Sequence, residues 1–76
     1  MAGWRPLKRR ECIRKLRALG FAGPFSGTRH QFMVLKQHRQ TIPTNSEYSV
    51  PQIRMLLRQV ESILGRSISL DEWDSL

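Results

Sequence analysis

Two apolar periods alternate along the chain, and the change from one to the other divides it into elements. Over residues 7–19, LKRRECIRKLRAL, the residues Cys12, Ile13, Leu16 and Leu19 recur at helical spacing. Lys8, Arg9, Arg10, Arg14, Lys15 and Arg17 fill the rest of that stretch. The pattern predicts an amphipathic helix with a basic outer surface. Gly20 follows as a left-handed cap, with Phe21 as the apolar residue beyond it. Residues 21–28, FAGPFSGT, predict a short strand around Phe25, placed at a sheet edge because Pro24 offers no ladder donor. Residues 30–36, HQFMVLK, predict the main strand, 37–39 a polar turn and 40–43, QTIP, a third short strand. Such close strand–turn–strand spacing implies an antiparallel hairpin. After a polar connection over 44–48, Ser49 and Gln52 form a capping box with Pro51 in the first turn. Val50, Ile53, Leu57, Val60 and Leu64 then step by threes and fours to Gly65, the clearest helical signal in the chain. Ser69 to Glu72 repeats the box ahead of Trp73 and predicts a short terminal turn of helix, with Trp73 folded onto the body.

The order is helix, two or three antiparallel strands, helix, with no internal repeat and no linker. It predicts one α+β domain over residues 1–76, with 1–6 as a loose N-terminal arm and both helices on one face of a small sheet. Strand alternation places His30, Phe32 and Val34 on one face and Gln31, Met33 and Leu35 on the other. Both sets are partly apolar, so the pattern leaves open which one meets the helices. A chain of 76 residues buries only about 60% of its unfolded surface, which demands a compact core.

Composition narrows the chemistry. The single Cys12 excludes an internal disulfide framework and a multi-cysteine metal site, and its place on the apolar stripe makes it a small buried hydrophobe. His30 and His38 sit on different elements and form no zinc pattern, so neither metal nor cofactor is expected. No apolar stretch reaches the ~20 residues of a membrane span, and no apolar segment follows the basic N-terminus as in a signal peptide. The reading is a cytoplasmic protein with no membrane partner.

Charge changes the picture most. The net charge is +7, from 13 basic and 6 acidic residues, and ten of the bases are Arg. Asp71, Glu72 and Asp74 crowd into the last six residues, leaving the rest more basic still. Arg pairs with phosphate in bidentate fashion, which Lys does not, and this density points to nucleic acid as partner. The basic helix residues Lys8, Arg9, Arg10, Arg14, Lys15 and Arg17 are the predicted footprint. Trp4 either stacks on a base or packs on the body. Tyr48 either bonds a phosphate or staples the second helix as the residue before its cap, with Ile53 as its partner.

His30 follows a Gly-Thr-Arg turn at the head of the main strand. Its imidazole suits proton transfer near neutral pH. A base there that takes the proton of an RNA 2′-hydroxyl lets that oxygen attack the adjacent phosphate, with Arg29 and the backbone N–H groups around Gly27 holding the phosphate. A structural or phosphate-contacting histidine is the other reading. His38 reads as a solvated turn residue.

Four stretches, in this order, carry a resemblance: KLRALGF; GTRHQFM; TIPTNSEYSVPQIRMLLRQV; and SISLDEW. Together they resemble the small HicA (YcfA-like) family, the messenger-RNA interferase toxins of HicA–HicB toxin–antitoxin pairs, over residues 7–73. The resemblance implies an α-β-β-β-α fold like a double-stranded-RNA-binding domain, metal-independent cleavage of mRNA, and a HicB-like antitoxin as partner. It maps the catalytic histidine of the family's Gly-Ser-His motif onto His30. Two positions depart from the family pattern. Arg29 stands where the family has Ser, and Pro43 is followed by Thr44 and Asn45 where the family has a histidine. A non-catalytic RNA-binding module and a protein-binding adaptor are the alternative readings.

Overall fold

The computed structural model describes residues 3–76. The chain order is β1 (Leu7–Lys8), α1 (Arg9–Ala18), β2 (Ala22–Ser26), β3 (Gln31–Leu35), β4 (His38–Thr41), β5 (Glu47–Tyr48), α2 (Val50–Leu64) and α3 (Leu70–Ser75). Strands β2, β3 and β4 form an antiparallel sheet in that order, and β1 and β5 form a separate two-stranded ladder. The architecture is α+β, with the three-stranded sheet between α1 and α2 in sequence.

The helix ends follow their capping chemistry. At the end of α1, Phe21 N–H donates to the Leu16 carbonyl and Gly20 N–H to the Arg17 carbonyl, 3.1 and 2.9 Å. This is a Schellman closure, and it needs the φ of +110° that Gly20 supplies. At the start of α2, the Ser49 hydroxyl accepts from Gln52 N–H while the Gln52 side chain accepts from Ser49 N–H. Ser69 caps α3 through Glu72 N–H, but the expected box is only half formed, because the Glu72 carboxylate pairs with Arg66.

Four local expectations are corrected. Residues Leu7 and Lys8 are not helical: Leu7 pairs with Tyr48 and Lys8 with Glu47. The hairpin turn is Lys36–Gln37 rather than 37–39, so His38 opens β4 opposite Leu35. Lys36 takes a φ of +56° there, without the Gly or Asn that would signal it. His30 lies in the β2–β3 connection, one residue before β3. In the proposed arm, residues 1 and 2 fall outside the described residues, but Trp4 is half-buried against the core, with the Arg54 guanidinium 5.4 Å from its ring centroid.

One apolar cluster joins the layers. It includes Cys12 and Leu16 from α1, Met33 from β3, Ile42, Tyr48, Ile53 and Val60 from α2, and Trp73 from α3. The face of β3 carrying Met33 and Leu35 therefore meets the helices. Each such aliphatic side chain contributes about 1.5–3 kcal/mol by leaving water. The buried Gln40 amide, opposite Met33, donates to Gln59 Oε1 on α2 at 2.6 Å and to the Thr41 carbonyl at 3.0 Å, so its burial leaves no donor unpaired. Burial pushes the Cys12 thiol up to about 12, against the opposing pull of Lys15, as expected of a packing residue. Among the described residues, no helix is long and apolar enough to cross a membrane.

Candidate functional site

The site is built on the β2–β3 connection. Gly27 N–H donates to the His30 carbonyl at 3.1 Å, closing the loop Gly27–Thr28–Arg29–His30 onto itself. A Cβ at residue 27 would stand 2.6 Å from that same carbonyl oxygen, so only glycine fits. The closure leaves Thr28, Arg29 and His30 exposed at the sheet rim.

Two concavities meet at this loop and share Ser26, Gly27, Arg29 and His30. The larger, about 780 Å³, is completed by Thr28, Phe32, Arg39 and Thr41. The smaller, about 440 Å³, is completed by Arg9, Gln31 and Thr44. Arg9 and Thr44 also line a third hollow with Lys8, Arg10 and Ser46. Shared lining residues link the three hollows in series around the sheet rim, and together they form the trough: His30 lines the first two, and five cations stand among the three. None of its lining residues is acidic.

Two of those cations are held in place. Arg9, half-buried, donates through Nε to the Pro43 carbonyl at 3.2 Å and through its terminal nitrogen to Gln31 Oε1. It thereby ties the start of α1 to β3 and to the segment after β4. Arg39 lies over the ring of Phe32, its guanidinium carbon 4.6 Å from the centroid, an attraction between the cation and the negative ring face. Arg39 escaped the sequence reading. Alternation along β4 places it on one face with Thr41, but its pairing with Val34 beside Phe32 depends on the strand register.

The residues expected to bind RNA divide into two groups. Lys8, Arg9, Arg10 and Arg29 come together along the trough with His30. Lys15, Arg14 and Arg17 do not. Lys15 is not on the outer surface at all: it is 4% exposed, its ammonium donates to the Trp73 carbonyl at 2.7 Å and lies 5.3 Å from the Trp73 ring centroid. The helical spacing of Cys12, Lys15, Leu16 and Leu19 puts it on the apolar stripe, a signal available in the sequence. Arg14 is exposed, pairs with Glu11 at 3.2 Å and reaches the Leu76 carbonyl. Arg17 donates to the Gly23 carbonyl at 2.7 Å.

Tyr48 is no phosphate ligand either. It is fully buried, its hydroxyl donates to the Pro43 carbonyl at 2.7 Å, and burial raises its pKa against the lowering influence of Arg9. It shares the core cluster with Ile53, as the staple reading requires. His38 is exposed on β4 and lines none of the three hollows. Among the described residues, no three His, Cys, Asp or Glu side chains gather as metal ligands.

No protein-family model, curated protein or solved structure matches the chain.

Proposed function

We propose that this chain is a HicA-like toxin: a cytoplasmic endoribonuclease that cleaves messenger RNA and is neutralised by a HicB-like antitoxin. One observation supports the reading above the others. An exposed histidine stands on a loop closed by its own carbonyl, in one concavity with Arg9 and Arg29, and Arg39 lies in the adjoining one. In the reaction, the neutral His30 imidazole accepts the proton of a ribose 2′-hydroxyl. The 2′-oxygen forms a bond to the adjacent phosphorus, and the bond to the 5′-oxygen breaks. That oxygen leaves and takes a proton from solvent water, giving a 2′,3′-cyclic phosphate and a 5′-hydroxyl, and the His30 imidazolium returns its proton to solvent. The chemistry needs a base and stabilisation of the phosphorane charge, and guanidinium groups along the trough supply the second. The Arg29 side chain, in place of the family's Ser, adds a cation next to the base. A HicB-like antitoxin neutralises such a toxin by covering the trough, and an acidic face on it would speed the encounter.

The test is cleavage of a long single-stranded RNA in excess chelator. Wild-type protein should shorten it and leave cyclic-phosphate ends. His30→Ala should leave it intact while still retarding it in a gel. RNA left whole by wild-type protein that nonetheless binds it removes the nuclease and leaves an RNA-binding module. Loss of binding as well removes both.

A further inference from the structure

The trough opens at one end onto a sheet face that no element among the described residues covers. Phe25, Phe32 and Thr41 lie in register across β2, β3 and β4, with Arg39 beside them. Phe25 is 45% exposed and Phe32 is only half-buried, so the two rings form an apolar patch rather than a single exposed side chain. The Phe25 ring centroid lies 5.8 Å from that of Phe32, the planes inclined by 38°. Arg39 spreads over Phe32 and is itself exposed. Phe32 and Arg39 also line the concavity of His30.

We infer that this face is a nucleobase platform: a base next to the cleaved phosphodiester leaves its neighbours and stacks on Phe25 and on the guanidinium of Arg39. The inference rests on the RNA reading of the trough and adds the subsite that engages the base. A single strand is the occupant that the surface chemistry favours. It brings a polyanionic backbone for the cations and flat apolar faces for the ring and guanidinium. A protein partner would bury Phe25 equally well, but it would not need a planar cation already stacked on a second ring. Phosphates alone would use the cations and leave Phe25 in water. The platform also predicts a preference for unpaired over duplex RNA, because pairing hides the base faces.

Binding is measured with 2′-O-methyl oligonucleotides, which the proposed reaction does not cleave. One has bases, a second of equal length is abasic, and a third is the first annealed to its complement. Wild-type protein should bind the base-bearing single strand roughly tenfold or more tighter than the abasic one, the scale of one stacked base, and tighter than the duplex. Phe25→Leu keeps the apolar bulk and Arg39→Lys keeps the charge. Each should bring the ratio of the single strands toward one, Phe25→Leu with little change in abasic affinity, and Phe25→Trp should preserve the ratio. Circular dichroism checks that each variant is folded. A wild-type ratio of one, or a ratio unmoved by Phe25→Leu and Arg39→Lys, overturns the platform while leaving backbone binding intact. Such a result fits a face that serves a protein partner. Failure of wild-type protein to bind either single strand overturns the RNA reading itself.

Discussion

Adding one methyl group at Gly27 sets a side chain against a backbone oxygen, and a backbone oxygen yields less readily than a flexible side chain. The separation would be 2.6 Å from the His30 carbonyl, which also accepts the Gly27 N–H. Gly27→Ala should therefore open the loop and cost about 1–3 kcal/mol, the range for losing a hydrogen bond with accompanying strain. Thermal unfolding measures it, with the exposed Thr28→Ala as a control that should shift little. The same variant should lose RNA cleavage beyond what its stability loss explains, because that closure fixes the His30 backbone from which the imidazole projects. At this scale the sequence pointed to His30 and the glycine of the turn before it, but not to their geometry. Strand alternation carried the histidine into β3, whereas the Gly27–His30 bond ends the connection one residue later. No residue type marks which carbonyl a loop will close upon.

Helix α1 shows how one element divides its charges between two tasks. Lys15 is buried under α3, its ammonium fixed on the Trp73 carbonyl, while Arg10 is exposed at the rim of the trough. Lys15→Ala should destabilise the protein by about 1–3 kcal/mol, because the Trp73 carbonyl loses its shorter hydrogen bond and keeps only the Leu76 N–H at 3.3 Å, while the contact of the ammonium with the Trp73 ring is lost as well. RNA affinity of the folded protein should hardly change. Arg10→Ala should do the reverse, with stability within about 0.5 kcal/mol of wild type and weaker RNA binding. Chemical denaturation paired with filter binding separates the two. Equal loss of affinity in both variants would mean that the whole helix surface, rather than its trough side, contacts RNA. The helices were the legible elements, since their stripes, caps and terminating glycines are local. Even here a six-residue basic set was taken as one surface, although Lys15 stands on the apolar spacing. The ladder of β1 with β5 was not legible. Two-residue strands some forty positions apart carry no periodicity, and Leu7 and Lys8 continue the helical pattern up to the moment they pair. The Lys36–Gln37 turn was missed for a different reason: its left-handed position is held by lysine, a residue that carries no turn signal.

Across the whole molecule, net charge alone predicts attraction to any polyanion, whereas the fold predicts a path. Half of the acids lie in the last six residues, with Glu72 tied to Arg66 at 2.7 Å, and the trough is lined by bases without acids. A single strand lying along Lys8, Arg10, Arg9, Arg29 and Arg39 would release counterions from about five phosphates. At about 0.7 per phosphate, log K against log salt concentration should fall with a slope of about −3.5. Arg9 spends part of its hydrogen-bonding capacity on Pro43 and Gln31, but it keeps its charge, and the slope counts charge. Arg29→Gln should therefore flatten the slope by about 0.7. Arg14→Gln and Arg17→Gln, outside the trough, should leave it unchanged even though each removes the same unit of net charge. Titrations over a range of salt concentrations distinguish the two cases. If all three variants flattened the slope alike, diffuse charge rather than the trough would be holding the RNA, and His30 would have no defined phosphate beside it. If only Arg29→Gln did so, the strand would pass the His30 loop, which is the placement its chemistry requires.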